Sequence, residues 1–275
     1  MGVDAMNDSE NAGIGGIRIA NAVKSKLFLI AAIVMIAAAS LAFGRIGEGV
    51  MQMCMFAFAG AVAAELFVLR SYAEKGNYLR LRNDAAGLLV IEAVLCFLTA
   101  CALLYSASLV FATFFPVSNF LKASSGMASL VARATNAVSL AAAGAVPKTI
   151  APKVTLLIRS FAEVYGVEKT ETLLNIAVWT TVGCLFVGML VRIASGLLLL
   201  CSASGLRKAF DGAEGKDDLS KPAKYLIAAG AGIALCSGIP AGGVVLILAG
   251  RALRLSSYDC RHRGPEECSA DEIKN

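Results

Sequence analysis

The chain has 275 residues, 57% of them apolar and only 16% charged, with a formal net charge of +5. About a quarter of the residues in an ordinary soluble domain are charged, whereas here uncharged runs cover 27–44, 49–64, 93–121, 172–191 and 225–250. Several of these reach the ~18 residues a membrane-spanning helix needs, which excludes a soluble globular protein. The basic residues stand beside the apolar runs, where they set topology and meet anionic head groups. No nucleic-acid-binding pattern accompanies them.

Residues 1–26 form a polar, Gly-rich N-terminal segment with Arg18, Lys24 and Lys26 next to the first span, at 27–43. Residues 27–39 have the length of a signal-peptide core. However, the long region before them carries Asp4, Asp8 and Glu10, so an uncleaved span is expected. A tight turn at 44–49 leads to a second span at 50–69. A charged loop then precedes a third at 86–115, which Pro116 ends because proline cannot continue the backbone ladder.

Residues 116–174 are expected to form an amphipathic helical hairpin outside the membrane or at its surface. Arg133 and Asn136 interrupt the apolar stretch 127–146. Beyond Pro147 and Pro152, Val154, Leu157, Ile158, Phe161, Val164 and Tyr165 recur at helical spacing, with Lys153, Arg159 and Glu163 on the other side. This helix either lies on the bilayer or packs on the protein's own spans.

Span four covers 175–201, and a charged loop runs over 202–224. The last membrane segment, at 225–249, contains Gly238, Pro240, Gly242 and Gly243, so it is a kinked span or a re-entrant hairpin. A polar tail follows from 250 to 275. Five plain spans would put twelve Lys and Arg on each side. A re-entrant last segment puts seventeen inside and seven outside, which obeys the positive-inside rule. The expected fold is therefore an all-α, polytopic transmembrane helical bundle with a cytoplasmic tail. It has four to five membrane segments, the last kinked or re-entrant, spans 1–3 at 27–115 and the rest at 175–249.

Three ionisable residues interrupt the apolar runs: Glu65, Glu92 and Arg192. A charge at membrane depth costs several kcal/mol and marks a function or a buried partner. Their spacing from the charged loops puts them about 7, 12 and 15 Å deep, in the same half of the membrane. Glu92 shares a helix stripe with Cys96, Thr99 and Ser106, and Arg192 shares one with Thr181, Cys184 and Ser195. The stripes are expected to face each other, with Arg192 paired to Glu92 or also to Glu65. Three roles stay open: a structural ion pair, charges that snorkel to the interface, or a relay in a transport path.

Catalysis is not expected. The one histidine, His262, lies in the tail, and no nucleophile elbow, HExxH pair or Walker lysine occurs. Cys260, His262 and Cys268 fit no zinc spacing, so no metal or cofactor is expected. Two functional readings follow. One is an integral membrane protein acting by helix packing and assembly, with the lipid bilayer, a second copy or another membrane protein as partner. The other is a transporter or channel subunit using the Glu/Arg layer. A composition of this style fits the cell membrane, best a bacterial inner membrane.

Overall fold

Runs rich in Leu, Ala and Ile, with no internal proline, favour helix. In an apolar medium the helix is also the form that pairs every backbone group within its own segment. The computed structural model describes residues 14–44, 50–114, 151–211, 219–236 and 240–263. Within these residues the protein is all-helical: α1 (Ile14–Lys24), α2 (Lys26–Phe43), α3 (Val50–Glu74), α4 (Tyr78–Phe114), α5 (Ala151–Tyr165), α6 (Val167–Asp211), α7 (Ser220–Leu235) and α8 (Ala241–Arg263). Four stretches are long and apolar enough to cross a membrane: Lys26–Phe43, Met53–Glu74, Tyr78–Phe111 and Val167–Phe210. Large apolar side chains stand exposed along them, Ile33, Leu98, Leu104 and Trp179 among them, as lipid-facing surfaces require. The chain is a membrane protein built as a helical bundle.

Helix α4 begins eight residues before the expected third span, and α6 extends beyond the fourth at both ends. Hydropathy registers the apolar thickness, whereas the helix continues through Arg80, Arg82, Arg207 and Lys208 into the polar zone. Glycines with positive φ separate consecutive helices at two places, Gly76 (68°) between α3 and α4 and Gly166 (81°) between α5 and α6. Side-chain-bearing residues avoid that conformation. After Gly76, the Asn77 carboxamide oxygen accepts from the Arg80 backbone N–H at 3.2 Å and caps α4.

The chain divides into two compact units: residues up to Phe97 together with those from Val191 onward, and Leu98–Leu190 between them. In the first unit, α7 and α8 pack side by side as an antiparallel hairpin. A Cβ on Gly230 would lie 2.6 Å from the Gly243 carbonyl, and one on Gly250 would lie 2.9 Å from the Ala223 carbonyl. Small residues at these crossings let the two backbones touch. The last α7 bond runs from Cys236 N–H to the Gly232 carbonyl, and α8 starts with Val244 N–H donating to the Pro240 carbonyl. Pro240 stands where a missing N–H costs nothing. Of the two forms open for 225–249, the chain therefore takes the hairpin. Each apolar arm, 225–235 and 241–250, is about 15 Å long, half the ~30 Å hydrocarbon thickness. Gly238 lies outside the described residues, and Gly242 and Gly243 sit in the first turn of α8.

Helix α6 holds the first arm. Ser195 is buried against Gly232, Gly205 packs on the Pro222 ring, and the Ser202 hydroxyl donates to the Pro222 carbonyl at 3.2 Å. Near the other end of the hairpin, the Ser256 hydroxyl of α8 donates to the Arg18 carbonyl of α1 at 2.6 Å. Gly15 of α1 meets the Ala209 carbonyl of α6. The N-terminal helix and the tail-proximal end of α8 thus lie at one end of this unit. Helix α1 was not visible as an element in the polar N-terminal segment, yet Ile19, Ala20, Ala22 and Val23 are buried.

In the second unit, Gly188 of α6 faces Leu103 of α4, and the Phe111 and Trp179 rings meet at 6.0 Å. Helix α5 is the later arm of the expected amphipathic region, and 127–146 lies outside the described residues. Its Leu156, Leu157, Phe161 and Val164 are exposed, as is its Arg159–Glu163 ion pair.

The close crossing at Gly230 predicts an asymmetry among glycine substitutions. Gly230→Ala is expected to destabilise the fold by about 1–3 kcal/mol through overpacking. Gly60→Ala and Gly183→Ala, whose added Cβ meets nothing within 4 Å, should be neutral or stabilising by up to about 1 kcal/mol. Denaturation of the purified protein in detergent micelles measures all three.

Candidate functional site

Helix α7 ends at Cys236, and one charged side chain reaches the carbonyl there. Arg192, on α6, donates from Nη2 to the Cys236 carbonyl at 3.5 Å, the long limit of a hydrogen bond. That carbonyl lies at the C-terminus of α7, where the helix dipole presents its negative end, so a cation there is electrostatically matched. The Arg192 guanidinium also hydrogen-bonds the Cys96 side chain on α4, and its charge acts on Glu92 one turn away. Three elements, α4, α6 and the α7 end, thus converge on one guanidinium.

This convergence has a local cause. Gly196, one turn after Arg192, packs against Ala93 and Phe97, and a Cβ there would lie 3.0 Å from the Phe97 ring. The small residue brings α6 onto α4 next to Glu92 and Cys96. Gly232 does the same for α7, where an added Cβ would meet Val191 and Ser195.

The guanidinium is not saturated. Its Nε is buried and has no hydrogen-bond partner among the described residues, and arginine carries five donors to satisfy. No ion pair within 4 Å closes between Glu92 and Arg192 among these residues. Glu92 instead lines a cavity of about 90 Å³. It is the only ionisable residue in that lining, which is otherwise apolar side chains of α1 to α4 and α6 to α8 plus Gly242.

The other residues singled out in the sequence take different places. Glu65 is partly exposed on α3, makes no ion pair among the described residues and does not line the cavity, although Val62, Leu66 and Leu69 beside it do. Cys96 and Ser195 are buried. Ser106 is half-buried, with its hydroxyl bonded to the Ala102 carbonyl of its own helix. Thr99, Thr181 and Cys184 are exposed, and the Thr181 hydroxyl bonds its own helix at the Ala177 carbonyl. Pro240 is exposed at the turn. No group of three His, Cys, Asp or Glu placed to hold a metal occurs among the described residues. The partner that sequence reasoning missed is the Cys236 carbonyl, a backbone group that residue type does not mark.

Comparison with protein-family models, with curated proteins and with solved structures gives no match.

Arg192→Met should strand the Cys236 carbonyl and the Cys96 side chain and cost about 1–3 kcal/mol, whereas Arg192→Lys should cost less because it keeps one charged donor. Detergent denaturation of the two variants reads the difference. Equal stability of wild type and Arg192→Met would show that the contact carries no load.

Proposed function

We propose that the protein is a transporter or channel subunit whose solute path passes the layer formed by Glu92, Arg192 and the interrupted hairpin. The observation that supports this reading is Glu92, a carboxylate that lines an apolar cavity and is not closed onto the nearby arginine. A purely structural ion pair accounts for a closed contact. It does not account for a cavity lined by Glu92, or for an arginine with a buried donor to spare.

Broken helices at mid-depth supply backbone carbonyls and amide dipoles to small solutes in many transporters. Here the α7 C-terminus and the α8 N-terminus supply those two kinds of group on either side of residues 236–240. In this reading the protein is not an enzyme and sits in the cell membrane, with its charged loops cytoplasmic. Assembly with a second copy or another membrane protein is the rival reading. It predicts that the layer stays dry.

The two readings separate at Cys96, which is 1% exposed and bonded to Arg192. With the other cysteines replaced, a small water-soluble thiol reagent should modify Cys96 from one aqueous side of the membrane, and Glu92→Gln should change that rate. A Cys96 unreactive from both sides would contradict a hydrated path. Cys184 does not serve as a second reporter, because it is exposed on the bundle surface.

A further inference from the structure

The cavity lined by Glu92 has a direction. Along α4 its lining runs from Ala85 to Glu92, and along α8 from Leu253 to Gly242. Ala85 and Leu253 lie toward the charged ends of their helices, whereas Glu92 and Gly242 lie toward the apolar interior. The outer end of the cavity therefore lies toward the charged-loop end of the unit, about 10 Å from Glu92 at 1.5 Å per residue.

Helix α1 lies across that end. Its Ile19, Ala22 and Val23 line the cavity and are buried. At one end Gly15 rests on the Ala209 carbonyl, so closely that no side chain fits between the two helices. In the middle the Arg18 carbonyl is held by the Ser256 hydroxyl. The helix thus bridges the C-terminal parts of α6 and α8 at that end of the cavity.

The covering helix is also separable from the first span. Only Ser25 stands between α1 and α2, with extended backbone (φ −63°, ψ 155°), and its hydroxyl caps α2 by accepting from Phe28 N–H at 3.3 Å. Rotation about φ of this one residue re-aims α1 at the cost of the Ser25 N–H bond to the Ala22 carbonyl, and leaves the cap on Phe28 N–H and the span in place. Element-terminal residues of this kind serve as hinges in lid motions. Among the attachments of α1 are its buried apolar face, the Ser256–Arg18 bond, the Gly15 contact and, at its base, the Ser25 N–H donating to the Ala22 carbonyl at 3.2 Å.

The geometry points to α1 as a lid that closes the Glu92 cavity toward the charged-loop side and swings about Ser25 to admit solute. Its purpose as a solute gate rests on the transport reading. The closure itself does not, because it can be read from accessibility without any flux.

The test fastens the lid. In a full-length chain with its eight native cysteines replaced by alanine, Arg18→Cys and Ser256→Cys are joined by oxidation, and Leu89→Cys reports from the cavity wall. The reporter is alkylated by a membrane-impermeant maleimide on the charged-loop side. Open states of lids are commonly populated at about 0.1–10%. The cross-link should therefore slow alkylation about tenfold or more, and reduction followed by removal of the reductant should restore the rate in the same molecules. A second variant lacking residues 1–24 should alkylate about tenfold faster than the unlinked chain. A reporter rate indifferent to the cross-link, or one that truncation leaves unchanged in protein that still purifies as a folded species, would overturn the lid. Because the readout is alkylation, the lid can fail while Cys96 remains reachable, and Cys96 can prove dry while the lid stands.

Discussion

A helix that stops inside a lipid-embedded bundle leaves backbone groups without partners, and each such group costs several kcal/mol where water is absent. Helix α7 ends at Cys236, and Arg192 supplies a donor to the carbonyl at that end. The surrounding arrangement follows from bringing those two groups together. Gly196 lets α6 approach α4, Gly232 lets α7 approach α6, and Gly230 with Gly250 lets the hairpin arms close on each other. A guanidinium held in this way is costly to bury. The negative end of the α7 dipole, the Cys96 side chain and the charge on Glu92 offset that cost together.

The same arrangement explains why Glu92 is unusual. A carboxylate and a guanidinium in one apolar layer neutralise each other most fully in direct contact. Here the arginine is shared among α4, α6 and the hairpin end, and Glu92 lines a cavity. The opposed charges remain in one layer, with donor capacity and empty volume between the helices. Structural ion pairs close such gaps, whereas solute sites keep them. This contrast is what the proposed path rests on.

Much of the bundle was legible in the sequence because lipid imposes a simple rule: uninterrupted apolar runs of sufficient length become helices. The first span was expected at 27–43 and the helix covers Lys26–Phe43. The glycines and Pro240 in the last segment marked a break, and charge counting favoured a segment that turns back. Helix ends were less legible, because Arg80 and Arg207 extend α4 and α6 beyond the apolar thickness without changing it. Helix α1 was hidden by Gly15, Gly16 and its polar neighbours, since small residues that permit close packing lower the apolar signal of a buried helix. At the site, Glu92 and Arg192 were recognisable by type and depth. Cys236, 44 residues from Arg192, contributes only its carbonyl, and no side-chain pattern announces a backbone acceptor. Glu65 carried the same sequence signal as Glu92, and only packing separates these two half-buried glutamates, of which Glu92 lines the cavity.

The central claim is that the chain enters and leaves the membrane on one face through the α7–α8 hairpin. It is tested most directly by labelling two single cysteines, Lys216→Cys before α7 and the native Cys260 after the α8 arm, each in a background without other cysteines. An impermeant thiol reagent is applied to intact cells and to inside-out vesicles. A hairpin predicts that both positions react from the same side, the inner one. Reaction from opposite sides would mean that 225–249 crosses the bilayer once, and would contradict both the hairpin and the site built around its end.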